Sequence, residues 1–225
     1  MVFQQARSHV ARVFSQRCFY LFFSVLLLVT LGPLATHNVT GRIAVEVING
    51  CLLISAIAAV GRTRLSFVIA LLLAASNVGF EILATRFDMP QYSVVAVAFG
   101  AAFYVTAITY LLGYVFRREV MTEDKLYGAA AAYLMTGVLW VYLYGLVQHL
   151  IPGSFSSAGK QELGVSDLVY YSFSVLTSAG FGDIVPVSPL ARSVTTLEAI
   201  AGMLFVAILI ARLAGIYPPR RQEQA

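Results

Sequence analysis

The chain has 225 residues, 59% of them hydrophobic and 12% charged, with a formal net charge of +4. Its apolar residues come in long runs rather than the broken stripes of a water-facing helix, which excludes a soluble globular domain. The positive balance needs no nucleic-acid partner, because the basic residues flank the runs, as membrane topology requires.

The opening segment, 1–17, carries Arg7, Arg12 and Arg17 ahead of the first run. It is expected on the cytoplasmic side, either as an amphipathic surface helix drawn to anionic lipid or as a solvated tail. The run that follows is too long for a signal core and lacks a clean small-residue cleavage pattern, so it reads as a spanning helix. A hydrocarbon layer of roughly 30 Å takes about 20 apolar residues per crossing. On that measure six spans are predicted: Cys18–Leu34, Ile43–Val60, Leu65–Leu83, Tyr92–Phe116, Leu126–Ile151 and Ala191–Leu213. With the N-terminus inside, eleven Lys and Arg residues fall on inner flanks and four, Arg42, Arg86, Lys160 and Arg192, outside. Both termini are therefore expected in the cytoplasm.

Residues 18–116 read as a bundle of four antiparallel helices joined by short turns such as Gly61-Arg62-Thr63-Arg64. Glu46, Asn49, Asn77 and Glu81 are polar groups inside it, read as hydrogen-bonding partners within the bundle rather than as a ligand site. The fourth span contains no arginine, so it has no charge to move in a field, and steep voltage gating is not expected. A charged stretch, 117–125, reads as a cytoplasmic linker to a second unit, 126–213.

That unit has a different pattern. After the fifth span comes a polar stretch, Pro152 to Gly164, and then a short apolar run, Asp167 to Thr177, too brief to cross a bilayer. It is predicted to be a re-entrant helix, with Ser166 and Asp167 supplying N-cap oxygens and the carboxylate lying at the positive end of the helix dipole. The glycine-rich segment after it, irregular at membrane depth, is tolerated only where it is buried in protein or lines a water-filled path. A pore follows.

Thr177-Ser178-Ala179-Gly180-Phe181-Gly182-Asp183, followed by Pro186, resembles the filter signature of potassium channels, usually T-V-G-Y-G-D. The resemblance extends over the C-terminal half: paired aromatics Tyr170-Tyr171, the filter, the Asp-x-x-Pro turn, and an inner helix with Gly202. It implies an all-α membrane protein, six transmembrane helices plus a pore helix, assembled as a homotetramer around K+ ions and needing no cofactor. Carbonyls of Ser178, Ala179, Gly180 and Phe181 would replace the hydration shell of the ion, with the Ser178 hydroxyl at the inner mouth. Gly180 and Gly182 allow backbone conformations that a side chain forbids.

Three departures matter. Ser178 keeps the usual threonine's hydroxyl without its methyl, Ala179 fills less space than valine, and Phe181 lacks the phenol that ties the filter to a pore-helix aromatic, here Tyr170 or Tyr171. A looser filter is expected. Asp183 would either join a ring of carboxylates that concentrates cations or bond to Tyr170. Glu198, an acid in an apolar span, is expected to brace the filter from behind near Ser174, as a carboxylate or as its neutral acid. Met203, Val206 and Ile210 are taken, guided by the family, as the cavity face and an apolar gate. Gly202 serves as a hinge or as a close-packing site.

Six spans with a terminal pore resemble the voltage-gated cation channels, whose arginines the fourth span lacks. Only residues 214–225 follow the inner helix, so no soluble ligand-binding domain is expected, and Pro218-Pro219 ends any helix there. Cys18 and Cys51 form no Cys-x-x-Cys pattern, and His9, His37 and His149 are scattered, so neither a disulfide nor zinc is expected. No clustered set suggests an enzyme. A weakly selective cation channel of the same architecture is the nearer alternative. A small secondary transporter is the more distant one, disfavoured because the two halves differ. The expected location is a prokaryotic plasma membrane, where the Asn38-Val39-Thr40 sequon would face outward.

Overall fold

The structure, a computed structural model, describes residues 17–32, 39–60, 64–87, 89–117, 122–157 and 163–216. Readings of the opening segment before Arg17, the Asn38 sequon, residues 118–121, Lys160 and the tail beyond Ile216 lie outside them. The described helices are α1 (Arg17–Leu31), α2 (Val39–Val60), α3 (Arg64–Arg86), α4 (Ser93–Val115), α5 (Glu123–Leu150), α6 (Val165–Leu176) and α7 (Pro189–Ile216). Two short strands, β1 (Phe155–Ser157) and β2 (Ile184–Pro186), pair antiparallel.

Among the described residues, four helical stretches are long and apolar enough to cross a membrane: Arg64–Ala84, Ser93–Val115, Glu123–Leu150 and Pro189–Ala214. The first two predicted spans differ from these. At 15 residues, α1 is about 22 Å long, short of the roughly 30 Å hydrocarbon layer. The apolar part of α2 among the described residues is Ile48–Ala58.

Capping moves the start of α5 from the expected Leu126 back to Glu123. The Thr122 hydroxyl accepts the Lys125 amide at 3.4 Å, and Glu123 and Asp124 complement the positive end of the helix. Asp124 also reaches outward, accepting the Cys18 amide at 3.0 Å and the Tyr114 hydroxyl at 2.7 Å. One carboxylate thus joins the starts of α1 and α5 to the end of α4. Lys125 is buried, its ammonium 5.8 Å from the centre of the Tyr114 ring. On the same side, Arg212 of α7 donates to the Phe116 and Arg117 carbonyls at 3.3 and 2.9 Å. Those carbonyls close the C-terminal end of α4, where a cation is favoured.

The core is continuous from the first helix to the fifth, through Leu21, Val25, Leu52, Phe103, Leu111 and Met135. A second cluster, Val141, Tyr144, Phe155, Leu168, Tyr171 and Ile184, surrounds α6. Both strands contribute to this second cluster, and neither β1, in the polar stretch after the fifth span, nor β2, at the expected Asp-x-x-Pro turn, was foreseen. Phe155 pairs with Pro186 and Ser157 with Ile184, so the chain that leaves at β1 returns beside it after α6 and the glycine-rich segment. The expected re-entrant excursion is pinned at its base by that pairing.

Candidate functional site

The site begins with the cap of α6. The helix starts at Val165, with Gly164 as N-cap, rather than at the predicted Ser166-Asp167. Asp167 lies within the first turn, and its carboxylate reaches back to accept the Gly164 amide at 3.0 Å. A glycine N-cap offers no side-chain oxygen, so the helix could extend upstream only because an acid three residues later reaches back to the exposed amide. The carboxylate still sits at the positive end of the dipole, as expected.

At its other end, all of the last four carbonyls of α6 find donors. The Phe173 carbonyl accepts the Thr177 amide at 3.1 Å and its hydroxyl at 2.6 Å. The Ser174 carbonyl accepts the amides of Ala179 and Gly180, at 2.9 and 3.1 Å, and the Val175 carbonyl that of Ser178 at 2.9 Å. The Leu176 carbonyl is met by the Tyr133 hydroxyl from α5, at 3.1 Å. Finally, the Phe181 amide reaches the Ser174 hydroxyl at 3.4 Å.

Four successive amides, those of residues 178 to 181, are thus turned onto the end of one helix. No hydrogen bond among the described residues ends on the carbonyls of the same four residues. The backbone achieves this by alternation. Ser178, Gly180 and Gly182 have φ of +60°, +53° and +79°, the left-handed region, while the residues between them do not. Glycine enters that region freely, but a serine there is held against a steric cost. The glycines were legible in advance. The left-handed Ser178, whose amide donates to the Val175 carbonyl, was not.

Behind the segment, the choice left open between two tyrosines is made by helix phase. Tyr170 stacks on Phe181, with ring centres 5.9 Å apart and planes within 13°, and its hydroxyl interacts with the Asp183 carboxylate. Tyr171 points the other way, into the packing around Tyr144 and Phe155, and shares a 2.8 Å hydrogen bond with Thr195.

Glu198, on α7, is fully buried. It does lie against α6, but at Ser172 rather than the expected Ser174: the Ser172 hydroxyl is 2.5 Å from Oε1, and the Tyr144 hydroxyl donates to Oε2. Ser174 faces the glycine-rich segment instead. Tyr133, Tyr144, Ser172 and Thr195 were not singled out in the sequence. The signal available was a hydroxyl in an otherwise apolar helix, too common to mark a site alone.

Gly202 is buried with no room for a side chain: a Cβ there would lie 2.3 Å from the Leu176 carbonyl oxygen. Met203, Val206 and Ile210 are exposed in the single chain, and so are Leu197, Leu204 and Ile208 on other faces of α7. Exposure therefore does not single out the three expected cavity residues.

Residues 129–217 match a protein-family model described as "Ion channel". Over 80 residues the chain is 31% identical to the inward rectifier potassium channel Kirbac3.1 of Paramagnetospirillum magnetotacticum, an alignment covering 34% of this chain and 24% of the relative. The chain therefore matches about a quarter of that relative's length. No solved structure matches the chain.

Proposed function

We propose, starting from the match of residues 129–217 to an ion-channel family model and the likeness to an inward rectifier potassium channel, that four copies of this chain form a passive potassium pore. The observation that carries the reading is the alternation at Ser178, Gly180 and Gly182, with the intervening amides drawn to α6. Such a strand leaves its carbonyls free for a dehydrated cation, and four strands around an axis complete the cage. One chain supplies a quarter of it. The apolar surface that α7 exposes away from its face packed on α6 is the surface that lipid and neighbouring copies would cover.

In this reading Ser178, Ala179, Gly180 and Phe181 coordinate K+, while Thr177, Ser174, Tyr170 and Asp183 hold the filter from behind, and Tyr171 and Glu198 hold the pore helix. Met203, Val206 and Ile210 line the inner cavity. The six apolar runs cross a plasma membrane with both termini inside, the shorter α1 by local thinning of the bilayer. No activity other than conduction is assigned to the chain. The decisive measurement is the reversal potential of purified protein in planar bilayers under opposed potassium and sodium gradients. A potential following the potassium gradient is expected, and absence of any current would remove the reading.

A weakly selective pore is the second reading, favoured by the small Ala179 and by Phe181, whose ring only stacks on Tyr170. Phe181→Tyr adds a hydroxyl that can bond behind the filter, and one such bond contributes about 1 kcal/mol, roughly fivefold in an equilibrium. Current decay should slow by about that factor, and potassium preference should rise. Decay and permeability ratio both equal to wild type would show that the phenol is irrelevant here.

A further inference from the structure

We infer that Glu198 works as a neutral carboxylic acid, donating its proton to Ser172, and that this proton positions the pore helix behind the filter. The argument is one of counting protons. Ser172 Oγ lies 2.5 Å from Glu198 Oε1 and 2.8 Å from the carbonyl oxygen of Gly137. A serine has one hydroxyl proton, a carbonyl can only accept, and an ionised carboxylate can only accept. With Glu198 ionised, one of these two short contacts would set lone pairs against lone pairs. With a proton on Oε1 the chain closes. Tyr144 donates to Oε2, Oε1 donates to Ser172, and Ser172 donates to Gly137.

The surroundings supply nothing that would hold a charge. The groups facing Glu198 are Tyr144 and, further off, Tyr133 from α5, with Ser172 and Tyr171 from α6; Thr195, on the same helix as Glu198, hydrogen-bonds to Tyr171. All are neutral hydroxyls. No Lys, Arg or His contributes among the described residues, and a fully buried carboxylate without a cation is costly. The network joins three helices at one point: α5 through Tyr144 and Gly137, α6 through Ser172, and α7 through Glu198. Two residues beyond Ser172, Ser174 receives the filter amides. Glu198 is thus a positioning residue, acting on the filter through α6. For that consequence, though not for its proton, the inference rests on the channel reading.

Infrared spectra of the purified protein in lipid at neutral pH test it directly. The wild type should show the carbonyl stretch of a protonated carboxyl group, and Glu198→Gln should lose it. Tyr144→Phe should shift the band to higher frequency, since Oε2 then loses its donor. No protonated-carboxyl band in the wild type overturns the inference without recourse to a variant, as does a band unmoved in Tyr144→Phe. Flux supplies a second readout. Glutamine can also donate to Ser172 and accept from Tyr144, so Glu198→Gln should conduct like wild type. Glu198→Leu leaves buried hydroxyls unpaired and should lower flux about ten- to a hundredfold. Raising the pH should weaken wild-type flux, because an ionised Glu198 competes with Gly137 for the Ser172 proton, and should leave Glu198→Gln unaffected. Equal loss in Gln and Leu variants would overturn the positioning role. A wild type that shows the band but passes no ions would instead refute the channel reading and leave the proton where it is.

Discussion

Liposomes carrying Gly180→Ala are expected to lose potassium flux entirely while the protein keeps its helical content. Gly180 has φ of +53°, and an L side chain in that region costs about 1–2 kcal/mol. In the proposed fourfold pore the cost is incurred four times. The left-handed residue can escape only by turning its peptide, and then a carbonyl leaves the axis and an amide faces the ion. Crowding is not the cause, for nothing lies within 4 Å of a Cβ built at Gly180. Helix content should therefore be untouched, since the change lies outside every helix. Flux measured as potassium uptake, with circular dichroism on the same preparation, checks both parts. Wild-type flux through Gly180→Ala would sink the assignment of residues 178 to 182 as the conducting segment.

Gly202→Ala should be nearly as damaging for the opposite reason, a collision. The added carbon would meet the Leu176 carbonyl oxygen at 2.3 Å and its carbon at 3.1 Å. Both are backbone atoms at the end of α6, where the Tyr133 hydroxyl already holds the same oxygen. Relief requires α7 to move away from α6, and overpacking of this kind costs about 1–3 kcal/mol. A lowered melting temperature and at least tenfold less flux are expected, 1.4 kcal/mol being a factor of ten. Gly113→Ala is the control, since a Cβ there meets nothing within 4 Å. If Gly202→Ala matched that control in stability and flux, the contact between α7 and α6 would not constrain the pore. A hinge at Gly202 makes a different prediction, altered gating with unaltered stability.

Much of this was legible in the chain itself. The four long helices agree with the predicted runs to within three residues at every end, because apolar run length reports transfer into hydrocarbon, a property of residue types and their number. The short helix before the glycines was legible for the same reason, being apolar and too brief to cross. Two of the errors are of one kind. Ser166 was expected to cap a helix that Gly164 caps, and Ser174 was expected to meet a glutamate that meets Ser172. Each depends on helical phase, in which a shift of one residue turns a side chain by about 100°.

The order of residues, then, was sufficient for the four long apolar helices, the short helix before the glycines, the positions where glycine is needed, and the presence of one acid where acids are costly. Those follow from the chemistry of single residues and their neighbours along the chain. What the acid touches, which tyrosine stands behind Phe181, why a serine bends left-handed and what fills the space beside Gly202 were decided only by tertiary packing. What the acid touches and what fills the space beside Gly202 are relations between helices apart in the chain, and the rotation of one helix against another is set by all the side chains between them at once.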